Sequence, residues 1–289
     1  MTARRRATRK LPSVDRRVRC VTIAALLAAS CAAAHAEDVL PIAAVESARW
    51  LFGVSASRAP EYPGSDKTAI KLRPLWAWQY GRLRISTSRA SGLLGFGVEA
   101  RGPGASLEMF SSDRIKFGAA LRVDSGRSAS DSALLAGLPS VRPTLRGRLY
   151  GSYTIDDHWG VGAAVSQDLL GRGGGAAASL DLGYHAPLGP RTEWTAGVGA
   201  TYGNGPYMRT YFGISPESSQ LTGIPAYAPS AGLRDLHAGI GLTSLLSDHW
   251  IAFAGLGTAS LRGQAAASPL TRAKSSPGAT AGIAYRWGP

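Results

Sequence analysis

Two Asp-His pairs, Asp157-His158 and Asp248-His249, are the first residues of this 289-residue chain whose types could do chemistry. A carboxylate beside an imidazole can orient a general base. Both pairs share one frame, however: a short polar run and then Trp159 or Trp250. Asp favours turns by accepting nearby backbone N–H groups, and Trp marks a membrane interface, so turn formation accounts for both pairs together. His185 and His237 stand alone and read as hydrogen-bonded scaffold residues. Gly171-Arg172-Gly173-Gly174-Gly175 has the composition of a phosphate cradle. A phosphate loop leads into a helix, whereas an alternating, strand-like segment follows here, so a flexible hairpin loop is expected. No His and acid spacing suits a metal, and no cofactor is implied. The basic positions lack the interleaved aromatics of nucleic-acid readers. The expectation is a protein without a catalytic centre, a cofactor or a nucleic-acid partner.

The elements that must position these residues are strands. From Trp194 to Tyr202 every even position is apolar and every odd one is Thr or Gly. The same period of two runs through 115–124, 159–166 and 179–185. Successive strand side chains point to opposite faces, so each segment carries one apolar and one polar face. The polar face collects Lys71, Arg73, Arg82, Arg84, Glu99, Arg101, Arg122, Arg146, Arg148, Asp181 and Glu193, as a wet lumen requires. Segments of about ten residues cross a bilayer when tilted. Trp50, Trp76, Trp78, Trp159, Trp194, Trp250 and Trp287 fall at segment ends, where aromatic girdles sit. Tight turns at 156–157, 187–190 and 247–248 alternate with longer connections at 125–144, 169–176, 203–232 and 261–276. That asymmetry predicts an all-β transmembrane antiparallel barrel of about twelve strands (a range of about ten to fourteen), with short periplasmic turns and long outer loops.

The expected strands are 49–58, 69–79, 82–101, 104–111, 115–124, 145–155, 158–168, 177–186, 192–202, 233–246, 249–260 and 278–287. The stretch 82–101 fits one interrupted strand or two short ones. Within 203–232 the run Tyr207 to Gly213 is strand-like, which gives a plug or a rim hairpin. The last strand, Thr280 to Trp287, places Gly282, Tyr285 and Trp287 in the order of a barrel-assembly signal, although Gly288-Pro289 follow the terminal aromatic.

The formal charge of +13 invites a nucleic-acid reading until the N-terminus is examined. Eight basic residues precede an apolar run from Cys20 to Ala34, and Ala34-His35-Ala36 ends it. This is a secretory signal, 1–36, with cleavage expected after Ala36 and export to the outer membrane of a Gram-negative cell. Fifteen apolar residues are too few for a spanning helix. Lipoprotein cleavage before Cys31 and a twin-arginine route through Arg16-Arg17 both match poorly. Removal of 1–36 lowers the charge by seven to +6 and takes both cysteines, leaving 37–289 as one barrel domain without disulfides.

The predicted outer loops carry a resemblance. Tyr62-Pro63-Gly64-Ser65-Asp66, Gly126-Arg127 with Ser130-Asp131, and Leu135 to Leu138 come first. Gly171 to Gly175, Tyr211-Phe212-Gly213-Ile214-Ser215, Tyr227-Ala228-Pro229-Ser230-Ala231-Gly232-Leu233-Arg234-Asp235 and Ser268-Pro269-Leu270 follow. In this order and spacing the chain resembles the MltA-interacting protein group, MipA/OmpV, over nearly all of 37–289. The resemblance implies an outer-membrane barrel with a non-enzymatic scaffolding role, in contact with membrane lipid and linking a lytic transglycosylase to a bifunctional murein synthase. Gly, Pro, Ser and Asp are also what turns require, so these motifs can set loop architecture instead of a ligand site. A passive small-solute channel using the charged lumen, and a surface adhesin using 125–144 and 203–232, stay open as other roles.

Overall fold

The computed structural model describes residues 50–87 and 103–287. The proposed signal segment, Glu99, Arg101 and most of the stretch 82–101 lie outside the described residues. Twelve strands occur among those described: β1 (Trp50–Pro60), β2 (Thr68–Tyr80), β3 (Leu83–Ser86), β4 (Gly104–Ser111), β5 (Ile115–Asp124), β6 (Thr144–Thr154), β7 (Trp159–Asp168), β8 (Ala176–Gly189), β9 (Thr192–Gly203), β10 (Gly232–Leu245), β11 (Trp250–Leu261) and β12 (Ser275–Trp287). Each pairs antiparallel with its sequence neighbours, and β12 returns to β1 (Ala284 opposite Gly53, Gly282 opposite Ser55) to close a barrel. Closure leaves no sheet edge, the condition for strands to cross lipid with their backbone groups paired.

The pairing fixes which face points where, because directly opposed residues share a face. Leu72, Leu180, Val198, Ile240 and Leu256 project outward and are well exposed. Apolar side chains on the convex surface of a closed barrel are suited to lipid. At the short-turn end the outer surface carries aromatics in contact: Trp50 stacked on Phe52 and tilted against Trp78, Trp159 edge-on and Trp194 tilted against Tyr184, and Trp250 edge-on against Tyr285. The strands are staggered. A single cross-strand row runs Asp168, Arg146, Arg122, Gly104, Ser86, Ala77, Leu51, descending from the long-loop end of β7 to the short-turn end of β1. Such a descent is the shear that closure with tilted strands demands.

The inner face departs from the purely polar lumen expected from sequence. Near the short turns Leu51, Leu245, Ile251 and Ala284 form a buried apolar group packed by Ala77, with Leu75 and Phe253 buried as well. Gly282 makes room for it: a Cβ there would come within 2.4 Å of the Phe253 ring. Apolar side chains facing inward here have neighbours from adjoining strands to bury against, which water would not supply.

The connection 204–231 also differs from the strand-like reading. It holds two helices, α1 (Gly205–Phe212) and α2 (Pro216–Thr222). Asn204 caps α1, its side chain accepting from the Tyr207 N–H at 3.0 Å, and Pro206 supplies a preset φ in the first turn. Ser215 caps α2 by accepting from the Ser218 N–H at 3.2 Å. Apolar alternation alone could not see the caps, and among the described residues no strand pairs with 205–212. A third short helix, α3 (Gly263–Ala267), lies in the last long loop.

Candidate functional site

The long loops interlock over one end of the barrel. Tyr62, Leu135, Leu138, Ile214 and Leu270, one or two from each of four loops, form a buried apolar group with Leu134, Ile224 and Tyr227 around it. Polar bonds tie the same loops together. The Tyr62 hydroxyl donates to the Leu270 carbonyl at 3.1 Å, and Ser268 Oγ donates to the Phe212 carbonyl at 2.7 Å. Tyr227 donates to the Gln264 carbonyl, and Arg127 to the Tyr211 carbonyl, at 2.9 and 3.0 Å. Burial together with nearby Asp66 pushes the Tyr62 phenol up, and burial lowers the Arg127 guanidinium from its ordinary value.

Beneath these loops α1 turns its side chains into the lumen. Tyr207, Met208 and Phe212 are buried against Ala177, Leu261 and Ala265. The Tyr207 ring meets two guanidiniums, Arg146 at 5.5 Å and Arg234 at 5.6 Å from its centroid, and its hydroxyl accepts from Arg234. Tyr211 donates to Asp124 Oδ2 at 2.8 Å, and Asp124 lies 3.8 Å from Arg146. Burial, then the Asp124 charge, raises the Tyr211 phenol far above its ordinary range. The helix is therefore held to β5 and β6 on one side and to β10 on the other.

The β10 side continues as an ion network. A bulge between Leu233 and Asp235 turns both Arg234 and Asp235 inward, where they bond to each other. His237 takes Asp235 Oδ1 at 3.0 Å through Nδ1 and Asp181 Oδ1 at 2.7 Å through Nε2. The Asp181 bond crosses Gly199: a Cβ there would lie 2.4 Å from both bonded atoms. On the other wall Asp168 accepts from Thr144 and from the Gly174 N–H. Arg146 donates to the carbonyls of Gly174 and Gly175. The Gly171–Gly175 loop, with Gly171, Gly173 and Gly175 at positive φ, therefore serves two partners of the barrel's own wall, its Gly174 N–H going to the Asp168 carboxylate and its Gly174 and Gly175 carbonyls to Arg146.

The remaining motif residues are placed as follows. Gly64 has φ 97° and its carbonyl accepts from the N–H groups of Arg272 and Ala273. Ser65 Oγ accepts from Lys67, while Asp66 is exposed. Gly126, at φ 70°, donates to Asp124 Oδ1, and Ser130 and Asp131 belong to a capped 3-10 turn begun by Ser128. The Gly213 N–H closes α1 on the Arg209 carbonyl; Pro229 is fully buried, Pro269 half-buried, and Gly232 opens β10. Of the barrel-assembly residues, Tyr285 packs on Trp250 and His249, Gly282 faces Phe253, and Trp287 is exposed opposite Trp50. Glu193 lies 3.3 Å from His185 in the lumen. The lumen walls differ in balance: Arg84, Arg122, Arg146 and Arg148 on β3, β5 and β6 outnumber Glu108 and Asp124 on β4 and β5, whereas Asp181, Glu193 and Asp235 on β8, β9 and β10 are set against Arg234 and His237.

The Asp-His pairs are turns. It is Asp156, one residue earlier than the paired acid, that accepts from the His158 and Trp159 N–H groups at 2.8 and 2.7 Å, which lowers its pKa. His158 Nδ1 meets the His185 carbonyl. Ser247 does the same service for His249 and Trp250, and Asp248 meets Arg191 at 3.5 Å. Among the described residues no group of His, Cys, Asp and Glu is arranged to hold a metal. Sequence reasoning missed Tyr207 and Asp168; the chain offered only the strand-end position of Asp168 as a signal.

A closed twelve-stranded antiparallel barrel with a lipid-suited outer surface and a loop-capped, charged lumen defines the class. Within it, residues 52–287 match the family described as MltA-interacting protein MipA, and the chain belongs to that family. No curated protein matches. Solved structures similar to the chain include the NanC porin (8% identity, TM-score 0.46, 82% of this chain and 100% of that one). The KdgM porin (10%, 0.41, 82% and 99%) and OmpT of Vibrio cholerae (8%, 0.38, 82% and 97%) are also similar. At these values the likeness carries no argument about solute or partner.

Proposed function

We propose that this chain is an outer-membrane barrel that serves as a non-enzymatic scaffold, bridging a lytic transglycosylase and a bifunctional murein synthase. Family membership supports an interaction of this kind, since the family is described by its contact with MltA. The observation that favours a scaffold over a passive channel is the interlocked cap, with α1 fixed across the lumen by Tyr207 and Tyr211. In this reading the short turns face the periplasm, the aromatic groups lie at the inner lipid boundary, and residues 1–36 direct export and are cleaved off after Ala36. Contact with periplasmic enzymes falls to the short turns, such as 187–191, and to residues 37–48, short stretches of chain beside the at least about 1,000 Å² of a stable interface. Neighbouring lipid therefore adds to the binding. The test is affinity capture from native membranes with a murein transglycosylase of the same cell as bait. Co-purification of the barrel supports the reading; its absence, with the barrel present and folded in the input, overturns it.

A further inference from the structure

The lipid-facing side of β8 to β11 carries an apolar groove of about 590 Å³. Two neighbouring outward rows form it. Tyr184, Ala196, Ile240 and Leu256 follow one another across the four strands. Leu182, Val198, Ala238 and Thr258 make the next row toward the long loops. Ala196 and Ala238 leave the depth that the larger side chains wall in. Both rows run on over small or apolar side chains: Leu256 is opposite Ala279, Thr258 opposite Pro277, and Ala279 opposite Arg58 on β1. Arg58 is exposed and is the first charged side chain that these rows meet. Its Nε donates to Thr68 Oγ1 on β2 at 3.1 Å. Among the described residues it has no ion-pair partner. Two acids stand in the loop just beyond: Glu61 has Oε2 buried, and Asp66 is exposed next to exposed Lys67. Past Thr258 the outward face turns polar, with Ser260 opposite Ser275 and exposed Lys274 before it.

A cation on the lipid face of a barrel is tolerated near the headgroups and not at the bilayer centre, so Arg58 marks the headgroup level. A guanidinium there matches phosphate oxygens in a forked pair, and a basic residue at a membrane surface draws anionic lipid. The groove supplies the other half of the fit. Inside a bilayer a lipid chain gains close packing from such a surface, since it is already out of water. We propose that this surface binds one lipid with an anionic phosphate headgroup, the phosphate at Arg58 and Thr68 and one chain in the groove over Ala196 and Ala238. The site lies outside the lumen and away from the short turns, so it is independent of any contact with murein enzymes.

The test uses the protein folded in non-ionic micelles doped with phosphatidic acid or, separately, with phosphatidylcholine, and retained lipid is counted by native mass spectrometry. Phosphatidic acid should bind about fivefold or more tighter than phosphatidylcholine, the share that one basic residue at a membrane surface supplies. R58Q should remove most of that preference. A238L, which fills the groove without touching charge, should weaken retention of both lipids. R142Q, which removes an exposed cation just before β6, should leave retention unaltered. Excess inorganic phosphate should leave the lipid in place; displacement by it would assign Arg58 to a free anion and overturn the lipid site. Folding of each variant is read from heat-modifiable gel migration; if R58Q does not fold, T68V, which frees the guanidinium from its hydroxyl partner, serves with a smaller loss. Equal retention of the two lipids by the intact protein, an unchanged preference in the folded R58Q, or unchanged retention in A238L overturns the site.

Discussion

At the scale of single residues, glycine on the inner face lets neighbouring side chains lie flat along the wall. Gly199 is the clearest case, since the Asp181–His237 bond occupies the space its Cβ would fill. Gly199→Ala should therefore destabilise the barrel by about 1–3 kcal/mol through overpacking, read as a lower urea midpoint in micelles. An unchanged midpoint would mean the bond is dispensable. Asp156 makes a second, pH-dependent point. Its carboxylate is held below the ordinary value by two turn N–H groups, so its contribution is present above that ordinary value and lost as pH falls through the lowered one. Amide shifts of His158 and Trp159 should titrate together, with a midpoint below the normal Asp range. A midpoint at the normal value would show the turn bonds absent in solution.

At the scale of elements, the strands were readable because their signal is local. A period of two survives wherever one face meets lipid and the other the lumen, as in Trp194 to Tyr202, which forms most of β9. α1 was not readable by that signal: Tyr207 to Phe212 mixes apolar and polar residues much as a strand does, and its caps lie outside the run. The His237–Asp181 bond was hidden for another reason, since 56 positions separate its ends and only barrel register joins them. The inward apolar group of Leu51, Leu245 and Ile251 was obscured because alternation assigns a side chain to a face without saying what lines that face. Asn204 controls α1 and also accepts from the Ala176 N–H. Asn204→Ala should cost the helix about 1 kcal/mol and raise proteolytic cutting within 205–231, with barrel migration on gels unchanged. Equal protease resistance would show that packing of Met208 and Phe212 holds α1 without its cap.

At the scale of the whole molecule, the interlocked outer cap lies over the long-loop end of the lumen, and the inner apolar group lines β10, β11, β12, β1 and β2 near the short turns. Intact protein in planar bilayers should show no steady conductance. Y207A together with Y211F should produce discrete openings, because α1 then loses Arg146 and Arg234 at Tyr207 and Asp124 at Tyr211. Steady conductance of the intact barrel would restore the channel reading in place of the scaffold. The opposed signs of the two walls have a further effect, independent of whether ions pass. Arginines in excess on β3, β5 and β6 face a wall, β8 to β10, where Asp181 and Asp235 are matched by His237 and Arg234 and Glu193 adds a carboxylate, which sets up a field directed across the barrel axis. Water and amphoteric solutes that enter from the short-turn end are turned by that field, acidic ends toward β3–β6 and amine ends toward β8–β10. The interior thus sorts by orientation: a neutral zwitterion is turned by the field, whereas an ion is drawn along it.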